Sequence, residues 1–201
     1  VDLGDRTPDV WVADMLARWE ADPIAPIIVP LKNGTWIRLV DQRARDGDMV
    51  SLALNITDQM RIWAAIEAIP DGFVLFDREE RLLTCNQHYR DIYPESAPAM
   101  VPGAKFEDIL RYGLDHGQHL DAKGREAQWL SERLFQHRNP GAAIEQQLAN
   151  GRWIRAQDHA TPDGGRVGLR VDITHLKEQQ VALEAARVAA EAASRAKSRG
   201  V

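Results

Sequence analysis

Residues able to do chemistry are few in this 201-residue chain, and their spacing does not favour catalysis. No glycine-rich loop that could cradle a phosphate occurs, and no serine or cysteine stands at a spacing that suggests a histidine base. The one cysteine, Cys85, allows neither an intramolecular disulfide nor a cysteine-rich zinc site. Burial as a small hydrophobe is the default interpretation of such a residue. The sequence therefore predicts a segment without catalytic residues.

Six histidines are the other candidates for metal or proton chemistry. His116 and His119 are three residues apart and could bind a metal ion or haem iron. No third ligand lies near them in the sequence, which favours solvated loop histidines. The other four show no spacing to a partner that would make them ligands or bases: His88, His137, His159 and His175. We therefore predict no metal site.

Composition argues against several classes of partner. The 25 basic and 30 acidic side chains give a net charge of -5, and no basic cluster offers the footprint that a nucleic-acid backbone requires. No apolar run approaches the roughly 18 to 20 residues that cross a bilayer. A single cysteine agrees with a reducing compartment, so we expect a cytoplasmic protein without membrane contact by this segment. The start at Val1 suggests a piece of a longer protein.

An internal repeat organises the chain. The run Asn33–Arg38 recurs at Asn150–Arg155, and residues 33 and 150 are 117 positions apart. The same offset carries the Asp-Gly pair at 46–47 onto 163–164 and the Ile-Thr pair at 56–57 onto 173–174 without a gap. Two copies of one structural unit are therefore predicted.

Each copy is predicted to form three strands followed by a helix. Val167, Leu169 and Val171 alternate with smaller or polar residues, the period expected of a strand with one buried face. The Asn-Gly and Asp-Gly pairs favour tight turns between the strands. Thr57 and Thr174 could cap the helices that follow. The pattern from Gly72 to Arg138 adds two strands and several helices to the second copy.

This order of elements is similar to the PAS fold, a five-stranded antiparallel sheet with helices on one face. The fold class expected is therefore α+β. The residues that carry the resemblance are the opening run 69–77, Asn86 at the end of the second strand, Trp153-Ile154-Arg155, Asp163-Gly164-Gly165 and the exit motif Asp172-Ile173-Thr174.

The resemblance divides the chain into four parts. They are the end of a first PAS-like unit (1–57, a helix plus three strands), a connector helix (58–69), a complete PAS domain (70–174) and a signalling helix of coiled-coil type (175–201). The first unit lacks its two opening strands. Because an exposed sheet edge is a template for pairing, we expect this edge to be covered by the second unit or by another chain.

The resemblance also implies roles for particular residues. Asp172 and Thr174 would couple the last strand to the outgoing helix, although a plain helix cap is the simpler alternative. Their counterparts are Asn55 and Thr57, and asparagine in place of the family's aspartate leaves that exit contact open. Apart from the resemblance, the strand alternation places Trp153 and Arg155 on one sheet face, which favours packing of the arginine over the indole, with contact to a ligand or partner as the alternative. A ligand pocket would lie between helices and sheet, lined by Phe73, Leu75, Phe106, Ile109, Leu110, Trp153 and Val171.

Cofactor binding receives little support from the sequence. In light-sensing flavin PAS domains a cysteine within an Asn-Cys-Arg-Phe run attacks the flavin, whereas Cys85 lies in Thr-Cys-Asn-Gln. No residue pattern supports haem either. We expect no cofactor, and a small-molecule ligand remains an open alternative.

The C-terminal segment suggests the output. Leu176, Leu183 and Ala190 are seven residues apart, which favours a dimeric coiled coil over a surface helix. The run Ala192–Arg199 resembles the lead-in to the phospho-accepting helix of sensor histidine kinases, but Gly200-Val201 replace the residues that usually follow. The resemblance implies a homodimeric sensory and relay segment that acts on the kinase domains of its parent chain. A cyclic-dinucleotide cyclase or phosphodiesterase as output, or a protein-interaction scaffold, are the alternatives.

Overall fold

A computed structural model describes residues 1–199, which divide into two compact units, Val1–Ile66 and the part from Glu67 onward. The boundary falls inside a helix. The first unit comprises α1 (Pro8–Glu20), β1 (Ile27–Pro30), β2 (Trp36–Arg43), β3 (Met49–Asn55) and most of α2 (Thr57–Glu67). The second comprises β4 (Gly72–Phe76), β5 (Leu82–Cys85), α3 (Gln87–Ile92), α4 (Phe106–Asp115), α5 (Glu126–Arg138), β6 (Ile144–Gln147), β7 (Trp153–Ala160), β8 (Arg166–Asp172) and α6 (Thr174–Arg199).

The first unit is an antiparallel meander in the order β1-β2-β3, with α1 before it. Gly34 turns the chain between β1 and β2 with a positive φ of 80°, and the Asn33 side chain accepts a hydrogen bond from the Thr35 amide. β3 forms one edge of this sheet, and its apolar side chains Val50 and Leu52 are exposed. The predicted cover of this edge stays a prediction.

The second unit confirms the predicted α+β fold. Its five antiparallel strands lie in the order β5-β4-β8-β7-β6, and helices pack on one face. The core between helices and sheet includes Val74, Phe76, Leu82, Ile92, Phe106, Ile109, Leu130, Leu134 and Ile154.

The repeat in the sequence is also a repeat in structure. β6, β7 and β8 begin and end 117 positions after β1, β2 and β3. The pairing registers correspond as well, since Ile37 lies opposite Asn55 and Ile154 lies opposite Asp172. The twin segments therefore share strand bounds, turns and register.

The faces of β8 are the reverse of the predicted ones. The sequence suggested that the Val167, Leu169 and Val171 side would be buried against the helices, but the buried side carries Gly168 and Arg170. A side chain at Gly168 would be too close to its neighbours, because an added Cβ would lie 2.8 Å from a carboxylate oxygen of Asp158. The inner face therefore admits an ion cluster, and the aliphatic side chains lie on the outer face.

α6 extends over 26 residues, as the sequence predicted for the C-terminal helix. The two leucines of the proposed seam are exposed, Leu176 by 50% and Leu183 by 72%. Such exposure leaves an apolar stripe available, but pairing in a coiled coil stays a prediction. Gly200-Val201 lie outside the described residues. None of the helices in residues 1–199 combines the length and apolar character needed to cross a membrane.

Candidate functional site: the strand-to-helix junction and the polar core

The junction between β8 and α6 is joined by hydrogen bonds of Asp172 and Thr174. The Thr174 amide and hydroxyl both donate to Asp172 Oδ1, at 2.9 and 2.5 Å. The same hydroxyl accepts from the Trp153 amide at 3.0 Å, and the Ile173 amide donates to the Trp153 carbonyl at 2.8 Å. The end of β8, the start of β7 and the first turn of α6 therefore meet at one threonine oxygen.

Arg152 extends this junction toward α3. Its Nε donates to Asp172 Oδ2 at 2.8 Å, and its Nη1 donates to the Asp91 carbonyl at 3.2 Å. Burial opposes ionisation of Asp172, but the hydrogen bonds from Thr174 and Arg152 outweigh it and hold the pKa of that carboxyl below its usual value. The carboxylate is therefore charged at neutral pH and accepts from both neighbours.

The first copy of the junction has the same hydrogen bonds without the ion pair. Asn55 Oδ1 accepts from the Thr57 amide at 3.0 Å and from its hydroxyl at 2.6 Å. The Trp36 amide donates to the Thr57 hydroxyl at 3.0 Å. The contact left open by asparagine therefore forms, because the amide oxygen replaces the carboxylate oxygen. Thr35 occupies the position that corresponds to Arg152, so no guanidinium joins this copy.

α6 is also attached to the outer face of the sheet. Lys177 Nζ lies 5.1 Å from the centroid of the Trp153 ring, and it forms an ion pair with Glu145 on β6. The cation over this indole therefore comes from the helix, not from Arg155 as the strand pattern suggested. Arg155 is exposed. This contact fixes the first turns of α6 against β7.

The inner face of the sheet carries a buried ion cluster around Asp158. Arg170 Nη1 donates to Asp158 Oδ1 at 2.8 Å, and Arg133 Nη2 donates to Oδ2 at 3.0 Å. His137 Nδ1 lies 3.1 Å from Oδ2. Burial disfavours the charged carboxylate, yet the two guanidiniums and His137 lower the pKa of Asp158 far below its usual value. α5, β7 and β8 are therefore joined through one carboxylate.

A similar arrangement lies in the first unit, where the 117-residue offset carries Asp41 onto Asp158. Asp41 is buried and accepts from Arg18, Trp19 and Ser51. In both units an arginine of the preceding helix meets an aspartate of the second meander strand. Sequence reasoning missed both aspartates, although the repeat itself places them in register.

A small cavity of about 20 Å³ adjoins the ion cluster in the second unit. Its lining includes the predicted Phe106, Ile109 and Leu110, together with polar side chains that sequence reasoning missed. The missed residues include Tyr89, Tyr93, Gln118, Gln146 and the two buried arginines.

The other four predicted lining residues do not contribute to this cavity. Phe73 and Leu75 alternate with the buried Gly72, Val74 and Phe76 of β4, so they lie on the opposite face of the sheet. Val171 and Trp153 likewise alternate with the buried Arg170 and Ile154. The prediction was wrong because an apolar period of two gives the alternation but not which face is inside.

His119 corrects the prediction of solvated loop histidines. Its side chain is buried because the ring packs 4.3 Å from Trp129 and 6.1 Å from Tyr93, measured between centroids. This burial lowers the pKa of His119 to about 4, and Arg133 adds to the effect. His116 is exposed and stacks on Tyr112. Among residues 1–199 no three His, Cys, Asp or Glu side chains come together as a metal site would require.

Cys85 and Asn86 behave as structural residues at the end of β5. Cys85 is buried, as predicted, and burial raises the pKa of its thiol. Asn86 Oδ1 accepts from the Tyr89 and Phe73 amides, and Nδ2 donates to the Asp71 carbonyl. Asn86 therefore caps α3 and joins it to β4.

Comparison with known proteins agrees with this geometry. A family model described as PAS fold matches residues 66–181. A curated protein of Caulobacter vibrioides, the non-motile and phage-resistance protein, is 30% identical over 151 residues, which are 67% of this chain but 16% of that protein. This chain thus spans less than a fifth of that relative's length.

Two solved structures show limited similarity to this chain. The PAS domain of Bordetella pertussis BvgS is 20% identical, with a TM-score of 0.35, and the match covers 66% of this chain and 98% of that one. A domain of a sensory box sensor histidine kinase/response regulator from Geobacter sulfurreducens is also 20% identical, with a TM-score of 0.37, and covers 58% and 95% respectively.

Proposed function

Because the chain belongs to the PAS fold family, we propose that it is a non-catalytic sensory and relay segment in which α6 carries the output. The observation that supports this most directly is the Thr174 hydroxyl, which bonds to β7 and β8 at the first residue of α6. A shift of either strand end therefore changes the hydrogen bonds that start the helix. The first copy of the junction repeats the arrangement at Thr57.

A contact path leads from the polar core to this junction. Arg170 holds Asp158 from β8 and lies two residues before Asp172 on the same strand. A change in the ion cluster that displaces Arg170 therefore moves the strand end to which α6 is attached. A ligand or partner can shift such an equilibrium only as far as it binds one arrangement better than the other.

The output of this relay is proposed to be the kinase domains of a sensor histidine kinase. The support is the resemblance of the run Ala192–Arg199 to the lead-in segment of such kinases. Homodimerisation through α6, with Leu176 and Leu183 in the seam, and a cytoplasmic location belong to the same proposal. A cyclic-dinucleotide cyclase or phosphodiesterase, or a scaffold without an output enzyme, are the alternatives, and the sequence after residue 201 in the parent protein distinguishes them.

The test replaces Asp172 in the longer parent protein. Asp172→Ala removes the acceptor of both Thr174 hydrogen bonds, so we expect basal or stimulated autophosphorylation to change. Asp172→Asn retains an oxygen that can accept these hydrogen bonds, as Asn55 Oδ1 does in the first copy. It should therefore preserve more of the autophosphorylation response than Asp172→Ala. Asp115→Ala, at an exposed position on α4, is the control. If Asp172→Ala has the same basal and stimulated autophosphorylation rates as the wild-type protein, the coupling role is contradicted.

A further inference from the structure

The buried polar cluster of the second unit carries unbalanced charge. Arg133 and Arg170 are 4% and 1% exposed, and Asp158 is the carboxylate that both contact. Burial lowers the pKa of His137 and His119, so both imidazoles are neutral near pH 7. Two buried guanidiniums therefore share one buried carboxylate. A buried charge without a counter-charge is costly, which favours an anion beside the cluster.

Arg133 also has donors to spare. A guanidinium carries five N–H donors. Within residues 1–199, Arg133 gives the protein one hydrogen bond, from Nη2 to Asp158. Arg170 donates from Nη1 to Asp158 and to the Gln157 and Leu169 carbonyls, and its side chain also hydrogen-bonds to Tyr93. Both side chains line the cavity, so they place positive charge beside anything it holds.

His119 adds a third donor to the cavity lining. The Ser96 amide donates to Gln118 Oε1 at 2.9 Å, which identifies the other amide atom of Gln118 as nitrogen. That Nε2 lies 3.2 Å from His119 Nε2 and donates to it, so a neutral His119 carries its proton on Nδ1. In the described part of the chain this buried Nδ1 has no hydrogen-bond partner. Such a donor calls for an acceptor.

We propose that this cavity binds a small monovalent anion, either inorganic, such as chloride or nitrate, or the carboxylate of a short organic acid. The donors of Arg133, Arg170 and His119 meet the negative charge, and a volume of about 20 Å³ restricts the group to the size of an ion or a small head group. Met100, Ile109 and Leu110 complete the lining with apolar side chains. The role of the anion as the sensed cue rests on the proposed relay function; its binding does not.

Arg133 and Gln146 mark the entrance. Both line the cavity and also a groove between α5 and β6 that opens to solvent. Gln146 is held by the Tyr93 hydroxyl, which donates to its Oε1 at 3.1 Å. These two side chains therefore separate the groove from the cavity, and an anion that comes from the groove passes the same arginine that binds it.

The test titrates anions into the 201-residue chain at constant ionic strength, with gluconate as the bulky reference anion. Chloride, nitrate, formate and acetate are compared by thermal unfolding and by calorimetry. We expect a saturable rise in the melting temperature with one of the two classes, the inorganic anions or the carboxylates. The class that gives this rise identifies the chemical nature of the bound anion. Arg133→Met should weaken binding on the order of tenfold or more, because a hydrogen bond from a charged donor is lost.

The control is Arg111→Met, which removes an exposed arginine of α4 that pairs with Glu107. It should leave binding unchanged. The Nε–Hε signals of Arg133 and Arg170, followed by NMR in the unaltered protein, report binding even if Arg133→Met does not fold. Anion responses that never saturate, that persist in a folded Arg133→Met protein, or that leave both arginine signals in place would overturn the proposal. The relay test at Asp172 reads output without added anion, so either idea can fail alone.

Discussion

Asp158→Asn tests the interpretation of the buried ion cluster most directly. The substitution keeps the shape of the side chain but removes the charge that Arg133 and Arg170 face at 3.0 and 2.8 Å. Both guanidiniums are then buried without a counter-charge, a situation that costs about 3–5 kcal/mol of unfolding free energy. The side chains are 5% exposed or less, so solvent does little to reduce this cost.

Urea unfolding monitored by tryptophan fluorescence measures this loss, with Asp115→Asn at an exposed position as the control. The double variant Asp158→Asn/Arg133→Met should recover part of the stability, because one unpaired charge is removed with its partner. A loss below about 1 kcal/mol, typical of exposed ion pairs, would refute the reasoning. So would strict additivity of the two substitutions.

The same carboxylate predicts a pH dependence. The pKa of Asp158 in the folded state lies below its value in the unfolded chain, so its contribution to stability is fully present above the unfolded pKa of about 3.9. Stability is lost as the pH falls below that value, since the unfolded chain takes up the proton first. In Asp158→Asn the urea concentration at the unfolding midpoint should therefore fall less steeply as the pH becomes acidic. A fall as steep as in the wild-type protein would contradict this assignment.

Three further predictions concern the junction, the sheet and the helix. Thr174→Val should cost about 1 kcal/mol and speed amide exchange in the first turn of α6, whereas Thr174→Ser should not. Gly168→Ala should cost about 1–3 kcal/mol in chemical unfolding, because its Cβ would lie 2.8 Å from an Asp158 oxygen, whereas Gly141→Ala enters open space and should be nearly neutral. Leu183→Glu should lower the dimer fraction in sedimentation, and Leu183→Met should not; equal masses would contradict a leucine seam.

The sequence could predict the strands and turns because local signals agreed with the tertiary structure. The alternation in β8, the Asn-Gly turns and the threonines at the starts of α2 and α6 each specify a local conformation. The repeat then placed both meanders in register. The junction residues Asp172 and Thr174 could be predicted for the same reason, since their hydrogen bonds connect neighbours in the chain.

The polar core could not be predicted from the sequence in this way. Arg133, Asp158 and Arg170 are separated by 25 and 12 residues, and nothing local indicates that they meet. Period-two alternation also cannot identify the buried face when that face carries glycine and arginine. His119 was misassigned because its burial depends on Trp129, which lies on another element. Long-range packing decides each of these cases.

The two strand-to-helix junctions have the same shape but not the same chemistry. The Asn55 side chain neither gains nor loses a proton in the physiological pH range. Among the described residues of the first unit, its side-chain oxygen accepts hydrogen bonds from Thr57 and from no cation. Asp172 is ionised and paired with Arg152, so dissolved salt can weaken this ion pair. The junction at Asn55 is thus indifferent to its ionic surroundings, whereas the junction at Asp172, at the start of the helix proposed to carry the signal, responds to them.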